Sequence, residues 1–488
     1  MMDWIVKELQ WKAGILEKSG FVEVFDGGVV KSDTAISKDL QNALKEAVVP
    51  FENVPEEEKD YHPGSDNKVV NLVHPSLFPV IYGRTHVLPD RTIGLDDCID
   101  SMGEGHWLPR PKEEEAIPEN HPYEYKKRPH PPVLSTRFQW LPCDTKISEE
   151  GGCQILSYIN NAHPVKHRAL YDVVEKILAQ TIPLWEQSLS EKGWRSDRIS
   201  YTGDVKYEDD GSTEPQFSEG DDVEVEDEEQ FEEILTAWYS SRKIVKPEPG
   251  EFKVREITKA DFLKHFPEGK IQVIVKLANI ELTPEKSAYE GGTWHIEGQL
   301  NERIAASAIY YYDSENITPS SLAFRHRGMD DMDIGYEQDR HDFMQQVYGY
   351  HEDLDNYNDD LITQELGSVV SKEGRIITFP NTLQHQVSPF SLVDASKPGH
   401  RKILALFLVD PHTRIISSAN VPPQRGDWKP DTQNTGPDAQ KVTEGEIVSS
   451  ITMDEAKAYR VELMKERGLK SEESNVAYQM GHFHLCEH

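Results

Sequence analysis

Long apolar runs, basic charge and cysteine are all in short supply in this chain, and each shortage removes a class of function. No stretch approaches the roughly 20 consecutive apolar residues that a transmembrane helix requires, so no membrane span is expected. The first residues, Met1-Met2-Asp3-Trp4-Ile5-Val6-Lys7-Glu8, lack the basic start, apolar stretch and small-residue cleavage site of a secretory signal, and a cytoplasmic protein is expected. Lys and Arg total 52 against 86 Asp and Glu, a formal charge of -34, and such a field repels the phosphates of a nucleic acid. Small molecules are the expected substrates. The four cysteines, Cys98, Cys143, Cys153 and Cys486, form no C-x-x-C pair and predict reduced thiols rather than a disulfide scaffold.

What is present is enough apolar content for a core: 37% hydrophobic residues with 28% charged over 488 residues, room for two or three domains or one large core with additions. Much of the negative charge is local. From Asp204 to Glu233 there are fifteen acids against a single lysine. Such a block repels itself and predicts a solvated loop or disordered insertion, with a protein partner or a calcium site as competing roles. The expected organisation is a mixed helical and irregular region at 1–202 packing on the core, the acidic insertion at 203–233, a catalytic core at 234–420 and a C-terminal extension at 421–488.

Hydrophobic spacing predicts a packing helix from Asp3 to about Lys18, with Asp3 as N-cap, Trp4, Ile5, Leu9, Ile15 and Leu16 on one face, and Gly20 just past the end. Between Asn53 and Pro132 the Pro, His and Gly content predicts irregular chain draped over something larger. A second amphipathic helix is expected from Pro164 to near Pro183, on Leu170, Val173, Val174, Ile177 and Leu178. After the acidic block the texture changes to short strands: 271–280, 293–297, 303–312, 322–325, 375–379, 384–389 and 402–409, with a polar excursion at 327–366. At least seven short strands at this spacing imply an α+β protein whose core is a double-stranded β-helix, the cupin-like jelly roll, with helical elaborations in its N-terminal part.

One segment carries chemistry: Gly291-Gly292-Thr293-Trp294-His295-Ile296-Glu297-Gly298, answered ninety residues later by His385 and then by Arg401. On a strand, residues two apart share a face, so His295 and Glu297 can reach one metal ion if His385 closes the site from a neighbouring strand. Two imidazoles and one carboxylate on one face of an iron ion leave positions open for substrate and oxygen. Arg401 would supply a fixed, charged fork for a carboxylate. The competing reading makes His295 and His385 half-buried histidines bonded to backbone, with Glu297 solvated; a single jelly-roll geometry, by contrast, accounts for all four residues. His351-Glu352-Asp353 shares the His-x-Asp form but lacks strand-like flanks and stands only 34 residues before His385, so it is expected in a surface loop.

The Gly-Gly-x-Trp-His-x-Glu pattern, the segment Arg303 to Tyr312 and the Gly-Arg-Ile-Ile-Thr-Phe before His385 resemble the 2-oxoglutarate and iron(II)-dependent oxygenases of the prolyl-hydroxylase type. Nearly the whole chain, including Ser157-Tyr158-Ile159-Asn160-Asn161-Ala162-His163-Pro164, is also similar to a fungal family filed as a domain of unknown function, number four-two-four-six. The first resemblance implies that His295, Glu297 and His385 hold Fe(II), that Arg401 pairs with the distal carboxylate of 2-oxoglutarate, and that O2 is consumed. It also places Tyr311 where the hydroxylases have a co-substrate hydroxyl donor, although a core tyrosine with a satisfied hydroxyl fits the sequence equally well.

Two departures from the pattern bear on the site, and one further cluster stands apart from it. Glutamate stands where aspartate is commoner, and a carboxylate ligand argues against halogenation. Arg401 is followed by Lys402 rather than set in Arg-x-Ser, leaving Arg303 as a lesser candidate for the co-substrate cation. His482, His484, Cys486 and His488 alternate at the C-terminus, as a second metal site or a docked tail. The expected activity is oxidation of a small molecule by hydroxylation, desaturation or ring closure; an amine or amino acid suits the negative field. The alternatives are a cupin-type dioxygenase that needs no 2-oxoglutarate and a non-catalytic jelly-roll binding protein.

Overall fold

Alternation along three long strands sets the architecture. The structure, a computed structural model, describes all residues except 114–133, 193–202, 210, 217–227, 255, 329–334, 337–339, 341, 351–359, 429–449 and 482–488. The strands that matter are β1 (Val22–Phe25), β2 (Val29–Ser32), β3 (Val69–Val73), β4 (Cys143–Ile147), β5 (Cys153–Ile155), β6 (Lys270–Leu282), β7 (Ile304–Glu315), β8 (Ser321–Arg327), β9 (Thr363–Val370), β10 (Ile376–Pro380), β11 (Gln384–Val387) and β12 (Gly399–Val409). A nine-stranded antiparallel sheet runs β1-β2-β10-β7-β12-β6-β4-β5, with β3 also on β6. A three-stranded antiparallel sheet runs β9-β8-β11.

Both faces of the large sheet are buried, so its strands are apolar on both sides rather than alternating with polar residues. On one face, Val273, Val275, Leu277, Ala308, Tyr310, Tyr312, Leu404, Leu406 and Leu408 pack against helices α2 (Lys38–Glu52) and α3 (Arg168–Leu189). On the other, Ile309, Tyr311, Ile377, Phe379 and Ile403 meet Leu322, Phe324, Val369, Leu383 and Val387 of the small sheet. The two sheets therefore face each other, and the candidate site lies between them.

Several expectations need correction. Helix α1 (Met2–Ser19) ends at Gly20 as its spacing predicts, but Met1 is its N-cap and Ile5, Leu9 and Leu16 are exposed, so it is not a packing helix along its whole face; Trp4 and Trp11 instead meet Phe252, with ring centroids 5.2 and 6.3 Å apart. Helix α3 runs through Pro183 to Leu189, because Leu184, Trp185 and Ser188 beyond it are buried against the sheet, enough to offset a proline's cost of about 3 kcal/mol. The acidic block closes in a helix, α4 (Glu228–Ser241), and Val205 at its start is buried with Phe343, Met344 and Ile362, so this end of the block is packed rather than solvated. The 327–366 excursion holds a short helix, α5 (Asp342–Tyr348), and the start of β9. His351, Phe217 to Asp227 and the His482–His488 cluster lie outside the described residues. Among the described residues no helix is long and apolar enough to cross a membrane.

The last helix, α6 (Met453–Gln479), packs Ala456 and Leu463 against Trp140 and Phe407 of the core. Its Arg467 donates to Glu302 at 2.6 Å, and this carboxylate, wholly buried, also accepts the Trp140 amide at 2.8 Å. Removing one partner of such a pair strands a buried charge. Arg467→Met, which keeps packing on the Trp140 ring 4.0 Å away, should destabilise the fold by about 3–5 kcal/mol. Arg168→Met, which breaks the half-exposed pair with Asp172, should cost less than about 1 kcal/mol. Urea unfolding of the two variants checks the contrast.

Candidate metal centre

The segment expected as a strand at 293–297 is not one. Its backbone pairs with β11 at a single residue: His295 donates to the His385 carbonyl at 3.2 Å and His385 donates back at 3.0 Å. The approach is set by Gly291, whose φ of +92° suits only glycine and whose Cβ, if present, would lie 2.7 Å from the Val387 carbonyl oxygen. Gly292 donates to that carbonyl at 2.9 Å and accepts from the Gln386 amide at 2.8 Å. After His295 the chain bends, and the side chain of Asn381, in the turn between β10 and β11, clamps the bend by accepting from the Glu297 amide and donating to its carbonyl, both at 2.9 Å.

The bend brings together what strand alternation was expected to align. One ligand atom from each of His295, Glu297 and His385 lies within 4.8 Å of the others. Nε2 of His385 is 3.4 Å and Nε2 of His295 is 3.8 Å from the Glu297 carboxylate. The His295 Nδ1–H donates to the Thr293 carbonyl at 2.7 Å, which fixes the tautomer that turns Nε2 toward the centre. His385 is 2% exposed, and its ring lies 4.3 Å from that of His295 and 4.8 Å from that of Phe379.

Charge follows from this packing. Burial pushes the Glu297 carboxyl up, but the two imidazoles outweigh it and hold the group well below the usual carboxylate range. Burial and then the His295 charge hold His385 down to about 4. Burial also pulls His295 down, yet the Glu297 carboxylate and the Thr293 carbonyl together leave it above its ordinary value. The carboxylate and the two imidazoles thus favour one another's ligand forms, and a divalent cation would compete with protons for them. Two imidazole nitrogens and one carboxylate oxygen converging in this way fit a first-row metal with open positions.

Arg401 and Tyr311 stand on the same interior side as the centre. Arg401 is 1% exposed, its Nε and Nη1 lack hydrogen-bond partners among the described residues, and its guanidinium lies 4.1 Å from the Phe390 ring centroid and 5.7 Å from that of Tyr311. Lys402, one residue on, faces out to Glu52 at 3.0 Å and Asp313 at 3.4 Å. The strand's alternation thus separates the two cations and puts Arg401 inside. Arg303 stands on another side of the centre: with Glu297, Asn381, Lys470 and Asn475 it lines a cleft of about 240 Å³ against α6.

Sequence reasoning missed a ring of polar contacts around the ligands. Asn475 of α6 donates to the Trp294 carbonyl at 2.7 Å and accepts from Gln384 at 2.7 Å; Gln384 accepts from Arg325 at 2.8 Å, and Arg325 stacks 4.6 Å from the Trp294 ring centroid. Asn381, in its Pro-Asn-Thr turn next to the ligand strand, carries a local signal that could have been found. Asn475, 181 residues from Trp294, carries none.

Asn381→Ala should weaken divalent-metal binding by about 10–100-fold, as loss of a ligand-orienting contact does. Titration calorimetry with Mn(II) on the folded variant checks it.

No curated protein matches the chain. Among solved structures it is similar to a bsmA homolog from Methylobium petroleophilum PM1, at 11% identity and a TM-score of 0.20 over 31% of this chain and 46% of that one, so the match spans less than half of that protein. It is also similar to IDO from Bacillus thuringiensis, at 6% identity and a TM-score of 0.26 over 82% of this chain and 97% of that one. A third, the Fe(II)/α-ketoglutarate-dependent dioxygenase TqaL, matches at 8% identity and a TM-score of 0.24, over 78% and 95%. Residues 1–432 match the family described as protein of unknown function (DUF4246), and the chain belongs to that family.

Proposed function

We propose that this protein is a non-haem Fe(II) and 2-oxoglutarate-dependent dioxygenase built on a double-stranded β-helix, the two facing sheets being its two halves and 234–420 its catalytic unit. The observation that carries the reading is the pairing of two features on one interior: the His295, Glu297 and His385 ligand atoms within 4.8 Å of one another, and the buried Arg401 with unbonded Nε and Nη1. A buried guanidinium without a counter-ion is costly, and a carboxylate is the group its fork matches. The cupin-type alternative that needs no 2-oxoglutarate leaves this cation unexplained.

When bound, the metal and 2-oxoglutarate supply oxygen activation coupled to loss of carbon dioxide. The chain supplies the rest. His295, Glu297 and His385 would hold Fe(II) on one side, with the Thr293 carbonyl keeping His295 in the right tautomer. Arg401 would hold the distal carboxylate of 2-oxoglutarate, and Tyr311, whose ring lies against that guanidinium, would form the wall beside it. Phe379, Phe390 and Phe324, all buried, exclude water and strengthen each charged contact. The substrate is a small molecule, oxidised by hydroxylation, desaturation or ring closure.

Aerobic incubation with Fe(II) and 2-oxoglutarate should release succinate even without an added substrate, and His295→Ala should abolish it. Arg401→Met should raise the KM for 2-oxoglutarate at least about 30-fold, the equivalent of about 2 kcal/mol for a lost buried charge pair. Failure of the wild-type protein to form succinate, or indifference of the KM to Arg401→Met, would overturn the reading.

A further inference from the structure

Two cations project from the interior side of the large sheet. Arg401 is opposed across the ladder by Ile280 and Lys276 by Ala405, so the step from 276 to 280 sets their positions about 13 Å apart along β6. Arg401 lies at the end occupied by Phe390 and Tyr311. Lys276 lies toward the metal-centre end: it is two residues from Ile274, whose rung runs through Phe407 and Ser307 to Phe379, and the Phe379 ring lies 4.8 Å from that of His385. Burial comes first among the influences on His295 and His385, and the Lys276 charge also acts on both.

The surroundings of Lys276 leave its charge unmatched. Nearby cations on this side of the fold have partners: Arg460 meets Asp60 at 2.5 Å and Arg467 meets Glu302 at 2.6 Å. Half-buried Lys276 has neither a carboxylate within ion-pair distance nor a hydrogen-bond partner among the described residues. The next residue, Leu277, pairs with Val73 of β3, which leads directly into His74, and the His74 ring lies 5.3 Å from that of His62. Burial, with the Lys276 charge next, lowers His62 to about 4 and His74 well below its ordinary range, so both are neutral near pH 7. Nδ1 of His74 accepts from the Ser76 amide at 3.2 Å, so Nε2 carries its hydrogen and is a donor. Glu297, the carboxylate of the centre, is already engaged by the two histidines. The result is one positive charge beside neutral imidazoles, on the interior of a chain whose net charge is -34.

We propose that Lys276 binds a carboxylate of the molecule oxidised at the metal centre, so that the substrate is a small carboxylic acid rather than a simple amine. The inference rests on the proposed metal centre for its location. A carboxylate carries the single charge that one ammonium matches, whereas a phosphate, at about -1.5 to -2, would remain partly unneutralised. The distal carboxylate of 2-oxoglutarate is assigned to Arg401, at the far end of the strands, which leaves Lys276 for the substrate.

The test uses the full chain loaded with Mn(II) and saturating 2-oxoglutarate, titrated with acid and amide pairs of equal shape: benzoate and benzamide, hexanoate and hexanamide, N-acetylglycine and its amide. Affinity is read from the shift in Tm. Wild type should bind the acid of at least one pair about tenfold more tightly than its amide, a difference of about 1.4 kcal/mol. Lys276→Met should erase that preference, Lys276→Arg should keep it, and neither should change the Kd for 2-oxoglutarate more than about threefold. Equal binding of acid and amide by wild type, or a preference that survives Lys276→Met, overturns the proposal. So does a loss of 2-oxoglutarate affinity in Lys276→Met as large as in Arg401→Met, which would assign the lysine to the co-substrate. Mn(II) binding is followed separately by its paramagnetic resonance. Its absence would sink the metal centre, while the acid and amide comparison, repeated on metal-free protein, still decides the role of Lys276.

Discussion

Two reciprocal hydrogen bonds between the backbones of His295 and His385, at 3.2 and 3.0 Å, hold the centre together, and everything built around it compensates for how short that bridge is. A regular strand pair spreads its register over several rungs, and a slip would turn every side chain to the wrong face. Here there is one rung. Beyond one further backbone bond, from Gly292 to the Val387 carbonyl, the restraint comes from side chains: Gln386 on Gly292, Asn381 on both sides of Glu297, and Asn475 spanning Trp294 and Gln384. Amide side chains suit this work because each offers both a donor and an acceptor. Replacing a ladder with such clamps frees the backbone to bend between His295 and Glu297, and the bend turns both side chains toward His385.

The bend also shows where the sequence was legible and where it was not. His295, Glu297 and His385 could be picked out because metal chemistry restricts residue type, and the pattern survives the fact that 293–297 is not a strand. The interior side of β12 could be read from period-two alternation, which puts Arg401 inside and Lys402 on Glu52 and Asp313. Tyr311 facing the small sheet, with Tyr310 and Tyr312 on the helix layer, follows from the same rule. Long-range pairing was not legible. Nothing local in Val22–Phe25 or Cys143–Ile147 says that these segments extend the same sheet as β7 and β12, because sheet membership is decided by partners far away in sequence. The face of α1 misled for a related reason: an apolar stripe shows that a helix can be covered, and only tertiary structure shows that Leu9 is not.

Helix α6 connects these two observations. It lies beyond residue 432, where the family match ends, yet it supplies Asn475 to the ligand segments, Arg467 to the buried Glu302, and one wall of the cleft that reaches Glu297. Glu302 in turn sits in the short turn just before β7, five residues after Glu297. The ion pair therefore braces the chain after the bend, while Asn475 braces it before the bend, at Trp294. A helix with few buried apolar residues can do this because its contribution is made through polar contacts at defined points, those of Arg460, Arg467, Lys470, Asn475 and Tyr478 among them, rather than through area.

Overall charge and local charge point in opposite directions in this molecule. The surface is strongly acidic, but the described residues facing the site include an unmatched guanidinium, an unmatched ammonium and a single carboxylate already engaged by two histidines. Dissolved salt at about 0.1 M screens surface charge over roughly 10 Å, so the acidic exterior has little say in what binds between the sheets. The interior pair does. Burying Arg401 without a counter-ion costs several kcal/mol, of which its stacking on Phe390 and Tyr311 offsets about 1–2 kcal/mol each at most. What remains is a cost carried by the free protein and relieved when an anion arrives. A fold selected for stability alone would have placed a carboxylate beside Arg401, as it did for Arg460 with Asp60. Leaving the position open would trade folding free energy for affinity, and that trade, more than the sign of the net charge, is the physical ground for the proposal that the space between the sheets takes acids.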